Sequence, residues 1–233
     1  MVMSNQQLVL PLQASGPKTV KGFITGENKT TLVAVASATK KLSLPGSFTY
    51  LYGDQSTGKT HLLLASAHQA MEQQLPAQYI DLNDLADIAK TTIKIDQPSL
   101  LCVDHIDAIA GDEEAEKKLL GLIEHVRNNG GSLIAASRLS SNHLAIKLPD
   151  LLSRLNAWPS FSLLELSEGE KQMVLRQSAK DRGFDLPREV TSWLLTHQSR
   201  DLGFLLDFLD RIDTLSLAQK RRVTIPLIKT LGT

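Results

Sequence analysis

Apolar positions along the chain follow two rhythms. Compact apolar runs occupy 48–52, 78–82, 100–103, 133–136 and 161–166, and past Leu166 only helix-spaced stripes remain. Runs that are solid rather than alternating belong to strands buried on both faces. With helical or loop material between them, they predict a parallel five-stranded sheet flanked by helices, an α/β fold. Between the first two runs, Leu63, Ser66, Ala67, Ala70 and Met71 recur at i, i+3, i+4, i+7 and i+8, predicting a helix from Lys59 with one buried face. Upstream, residues 26–41 carry Leu32, Val35, Ala36 and Thr39 at helical spacing, and Pro45-Gly46 breaks the chain before the first run.

The second rhythm carries its own punctuation. Ser167 and Glu170 have capping-box spacing, in which each satisfies a backbone donor of the other. Gly183 suits a left-handed helix end, and Pro187 suits a first helical position ahead of Val190, Trp193 and Leu194. Leu202, Leu205, Leu206, Leu209 and Ile212 form a long stripe, and Pro226 opens a last helix with Leu227, Ile228 and Leu231. The expected organisation is a tail at 1–15, an α/β unit at 16–166 and a small all-α lid at 167–233.

Composition narrows the function classes. Lysine plus arginine (25) balances aspartate plus glutamate (25), which argues against broad, sequence-independent nucleic-acid binding. A single cysteine, Cys102, forms no internal disulfide and sits in an apolar run, where it reads as a small buried hydrophobe. No apolar stretch reaches the roughly 18–20 residues that span a bilayer, and the first residues lack a basic segment followed by an apolar block. The expectation is a cytoplasmic protein with no membrane partner.

The chemistry is concentrated in Gly53-Asp54-Gln55-Ser56-Thr57-Gly58-Lys59-Thr60, a G-x-x-x-x-G-K-[ST] loop between a predicted strand and a predicted helix. Glycines let the backbone curl so that its N–H groups converge on phosphate oxygens, and the helix N-terminus adds positive potential. Lys59 is expected to neutralise β and γ oxygens and Thr60 to ligate Mg2+, with His61 following in the same site. The run at 100–103 ends in Asp104, expected to hold the metal through water. His105 stands where hydrolytic relatives carry a carboxylate to orient water, so tight binding and slow turnover are expected, with Asp107 as a stand-in. Apolar residues near Phe23 and Ile24 would line a base pocket without identifying the base.

With these pieces placed, the chain resembles AAA+ ATPase modules over nearly its whole length. Within that family it is similar to the DnaA-homologous factors that inactivate the bacterial replication initiator DnaA. The matching segments are Gln7-Leu8-Val9-Leu10-Pro11-Leu12, the phosphate loop, residues 100–107, Gly111-Asp112-Glu113, residues 148–155, Gly183-Phe184-Asp185-Leu186-Pro187 and Ile225-Pro226.

The resemblance implies that Arg154 is an arginine finger presented to a neighbouring subunit, a role that suits a permanently charged, bidentate group. It implies that Arg200 is a lid arginine on the β-phosphate. It further implies that Gln7, Leu8, Leu10, Pro11 and Leu12 dock on the replicative sliding clamp, with DNA reached mainly through the clamp. Function on this reading is regulatory: a bound nucleoside diphosphate, ADP first, with hydrolysis stimulated in DnaA; self-association is left open. One departure is Ser137-Arg138, where relatives often carry an acidic or amide residue that senses the γ-phosphate. The alternative is an ATPase acting directly as a loader or remodeller of a replication complex; a small-molecule kinase finds no recognisable acceptor site.

Overall fold

The computed structural model describes residues 24, 26–38, 46–84, 100–199, 201–219 and 222–231. The segment 7–12 (expected to dock on the clamp), Phe23 and Arg200 lie outside the described residues. In chain order the elements are α1 (Lys29–Ala38), β1 (Phe48–Tyr52), α2 (Lys59–Glu72), β2 (Ala77–Asp81), β3 (Leu100–Asp104), α3 (Glu113–Asn128), β4 (Ser132–Ser137), α4 (Pro149–Asn156), β5 (Ser160–Ser162), α5 (Glu168–Asp181), α6 (Arg188–His197), α7 (Leu202–Gln219) and α8 (Ile225–Lys229).

The solid apolar runs become a five-stranded sheet in the order β2-β3-β4-β1-β5, every pair parallel. Successive strand residues serve opposite faces, which is why the runs are solid. Phe48, Tyr50, Leu101, Val103, Leu133 and Ala135 pack with Leu119, Ile123 and Val126 of α3 and Leu151 and Leu155 of α4. Leu51, Leu100, Cys102, Ile134 and Ala136 pack with Leu32 and Val35 of α1 and Leu62, Leu63, Ala67 and Ala70 of α2. Both faces are thus excluded from water, as a parallel sheet requires. A third core, built on Leu175, Leu194, Leu205, Phe208, Leu209 and Ile212, holds α5 to α8 together.

Helix ends follow the local chemistry. Ser167 and Glu170 form the reciprocal capping box expected, Asp112 caps α3 through the N–H groups of Glu114 and Ala115, and Gly183 ends the α5 segment with φ 89°. Pro187 sits at the N-cap of α6, one place before its expected position, and Arg188 is the first helical residue.

Two expectations need correction. Met71 is 39% exposed, so the buried stripe of α2 ends at Ala70. The last apolar run predicts a strand over 161–166, but β5 stops at Ser162. The chain leaves the sheet there because α1 captures it. Asn28 Nδ2 donates to Leu164 O (3.0 Å), Asn28 Oδ1 accepts from Leu164 N (2.7 Å), and Thr31 Oγ1 donates to Ser162 O (2.9 Å). One asparagine side chain supplies both hydrogen bonds that a further strand neighbour would have made.

Candidate nucleotide site

The 53–60 loop joins β1 to α2 at the carboxyl edge of the sheet, the edge at which ligands of open α/β sheets bind. Its backbone is committed to a tight curl. A Cβ on Gly53 would lie 2.3 Å from Leu163 O, so no other residue fits. Gly58 (φ 97°) is left-handed at the N-cap of α2, and Ser56 adopts φ 60° without being glycine.

Lys59 is only 6% exposed. Its Nζ donates to Gly53 O (2.6 Å) and Asp54 O (2.7 Å), while Thr57 Oγ1 donates to Asp54 O (2.9 Å). Burial lowers the lysine pKa; the carboxylates of Asp104, Asp107 and Asp54 oppose that, and the Arg138 guanidinium adds to it.

Asp104 is fully buried at the end of β3. Its Oδ2 accepts from Thr60 Oγ1 (2.6 Å) and from the Tyr79 hydroxyl (3.2 Å), and its Oδ1 accepts from His105 N (2.9 Å). Burial, then the neighbouring carboxylates Asp104 and Asp81, push the Tyr79 phenol far above its ordinary range, so it stays a proton donor. His105 takes a left-handed conformation (φ 56°), and its Nδ1 lies 2.8 Å from Asp81 Oδ1. Among the described residues no three His, Cys, Asp or Glu side chains converge as a metal site. Magnesium does not need three: it keeps several waters and takes few protein oxygens, and a hydroxyl beside a carboxylate is the donor chemistry that fits.

A cavity of about 710 Å³ opens over the loop. Gln55, Ser56, Thr57, Gly58, Lys59, Thr60 and His61 line its floor, and Asn83, His105, Asp107 and Arg138 line the wall beyond the strand ends. Ile24, Leu166, Val174, Leu202 and Leu206 supply an apolar wall shared with the lid helices. Gly53 and Asp54 lie beneath the floor as acceptors for Lys59, and Asp104 reaches it through Thr60. The lid is also tied to the loop directly: Ser56 Oγ donates to Asp201, whose other oxygen caps α7 through Phe204 N (2.7 Å). Burial works against the Asp201 charge, but these hydrogen bonds outweigh it and hold its pKa below the ordinary value.

Asp107 does not stand free near the loop as a replacement carboxylate. Its Oδ1 accepts from Ser137 Oγ (2.9 Å) and Arg138 N (3.1 Å), and its Oδ2 accepts from Arg138 Nε (2.8 Å).

Arg154 is elsewhere. It lies in α4, and Nη2 is 2.9 Å from Glu124 Oε1 on α3. It borders a separate cavity of about 420 Å³ with Leu120, Asp150 and Ser153. The turn into α4 is pinned by Glu116, fully buried, whose carboxylate accepts from Gly111 N (2.8 Å), Lys147 N (3.0 Å) and Leu148 N (2.8 Å). Sequence reading missed Glu116, Glu124, Tyr79, Asp81 and Asp201. Only Asp81 left a trace, as a polar residue inside an apolar run.

A curled glycine loop feeding a helix, an aspartate-ended strand beside it, a five-stranded parallel sheet and a trailing helical lid together define an AAA+ module. The family model described as "Hda, lid domain" matches residues 168–231. An uncharacterised protein of Haemophilus influenzae is 32% identical over 229 residues, covering 97% of this chain and 98% of that protein. Domain III of the replication initiation protein DnaA of Thermotoga maritima superposes with a TM-score of 0.75 at 20% identity, over 96% of this chain and 98% of that one. AMPPCP-bound DnaA from Aquifex aeolicus gives 0.68 at 22% identity, over 88% and 67%. The chain belongs to the Hda-like family of DnaA-homologous AAA+ proteins.

Proposed function

We propose that this protein regulates replication initiation by holding a nucleoside diphosphate, ADP in the first place, and lending Arg154 to ATP bound by the initiator DnaA. On this reading Lys59 and the 53–60 amides grip the phosphates. Thr60 holds Mg2+ directly and Asp104 holds it through water, and the ion neutralises phosphate charge. Arg200 would complete the grip from the lid side. The segment 7–12 docks on the DNA-loaded sliding clamp, which brings the protein to DnaA at replicated DNA. The tail 1–15, the unit 16–166 and the lid 167–233 then divide the work into docking, nucleotide holding and nucleotide reporting.

The observation that carries the proposal is the separation of the two phosphate-seeking cations. Lys59 is enclosed in its own loop, whereas Arg154 borders a different cavity, is 40% exposed and faces none of the chain's own phosphate-binding backbone. An arginine so placed serves a neighbour's nucleotide, where a guanidinium supplied in trans stabilises charge on a transferring phosphoryl group. Own turnover is slow on this account, because His105 is bonded to Asp81 and both Asp107 oxygens are engaged.

A single-turnover assay of ATP hydrolysis on DnaA, with DNA-loaded clamp and this protein, tests it. The wild-type chain is expected to accelerate hydrolysis, and Arg154→Ala to lose that effect by about three orders of magnitude or to background. Undiminished stimulation by the variant removes the finger from the account.

A further inference from the structure

Strand β4 lies between β3 and β1, with Ser137 opposite Tyr52 and Ala135 opposite Val103. The chain leaving β4 at Arg138 therefore emerges beside Gly53 on one side and beside the turn carrying Asp107 on the other. Both side chains line the cavity that Lys59 and Thr60 line, and both charges act on the Lys59 ammonium, in opposite senses. The pair is closed: Asp107 is 11% exposed, holds Arg138 by Nε and by backbone N–H, and takes a third bond from Ser137. Burial opposes ionisation of Asp107, but the bonds from Arg138 and Ser137 outweigh it and keep its pKa below the ordinary value. Arg138 itself is 64% exposed.

The first phosphates of a nucleotide rest on loop amides; a third meets the loop lysine and extends toward the ends of the neighbouring strands. The cavity wall there carries Asp107 and an Arg138 held to it by Nε and by backbone N–H. A third phosphate would meet that carboxylate and could recruit only the Nη groups of an arginine whose charge Asp107 already offsets, so it would gain little from the cation and lie near an anion. A diphosphate, one phosphate shorter, would stop short of that wall.

We propose that Asp107 and Arg138 form a selectivity pair that makes this site favour a nucleoside diphosphate over the triphosphate. The inference rests on the reading of the 53–60 loop as a nucleotide site and supplies a physical reason for the diphosphate preference proposed above.

The test is equilibrium titration of the full chain with ADP and with ATP, magnesium present, for wild type, Asp107→Asn, Arg138→Gln and the double variant. The amide introduced by Asp107→Asn keeps an acceptor for Ser137 and for Arg138 N, and Arg138 is largely exposed, so both variants are suited to retaining the fold. Asp107→Asn is expected to raise the ATP-to-ADP affinity ratio about tenfold or more. Arg138→Gln leaves the carboxylate uncompensated and is expected to lower the ATP-to-ADP affinity ratio about tenfold. The double variant should return toward the wild-type ratio. An ATP-to-ADP ratio constant within about twofold across all four proteins overturns the pair while leaving the nucleotide site standing. A wild-type chain that binds neither nucleotide overturns the site reading and the pair with it.

Discussion

Two rims of the molecule offer a cation, and they are built differently. At the 53–60 loop, Lys59 is held by acceptors five and six residues away in the chain, and enclosure of its ammonium is achieved locally. At α4, Arg154 is half exposed and held by Glu124, far earlier in the chain on another helix, while the turn into α4 hangs on the buried Glu116 carboxylate. The first arrangement fits a group that keeps its own ligand; the second fits one whose free edge must meet another molecule. The difference teaches that a cation's service is read from what holds it as well as from its charge.

Breaking the first rim should have the largest effect. Lys59→Ala is expected to weaken ADP and ATP binding by about a hundredfold or more and to abolish any thermal stabilisation by ADP. Calorimetric titration and melting with and without ADP check it; retained affinity would mean the loop does not grip phosphate. Gly53→Ala attacks the same rim through the backbone, since its methyl would collide with the Leu163 carbonyl. A loss of about 2–4 kcal/mol in chemical denaturation is expected, because backbone or strand must move to admit it.

At the second rim, Glu116→Ala strips a buried carboxylate from three backbone donors. The expected cost is about 2–3 kcal/mol, with loss of amide-exchange protection at Gly111, Lys147 and Leu148, and with ADP affinity unchanged. Glu124→Ala is the mildest change. Its pair with Arg154 is partly exposed, so stability should shift by less than about 1 kcal/mol. Stimulation of hydrolysis on DnaA is the sensitive readout there. An unaltered rate would show that Arg154 finds its orientation without Glu124.

The same contrast explains what could be read from the chain. The 53–60 loop was legible because its residues are contiguous: glycines, lysine and threonine at fixed spacing state the curl, the enclosed cation and the hydroxyl beside Asp104 together. The sheet was legible because burial on two faces leaves solid apolar runs, and the Ser167 cap because its partner is three residues away. Pairs such as Asp107 with Arg138, Glu124 with Arg154 or Ser56 with Asp201 join elements that only topology brings together, and no periodicity encodes them. The early end of β5 was hidden for the same cause: Leu164 reads as strand until Asn28, far upstream, takes its backbone.

That asparagine clasp has a mechanical corollary. Chain on the sheet side is fastened through Leu164, and on the far side Leu166 packs into the helical core while Glu165 is ion-paired to Lys171. Any swing of the trailing helices must therefore be absorbed by torsions of about one peptide unit, a door on a single pin rather than a pendulum on a cord. The hydroxyl of Ser56 meeting Asp201 fastens the two sides a second time.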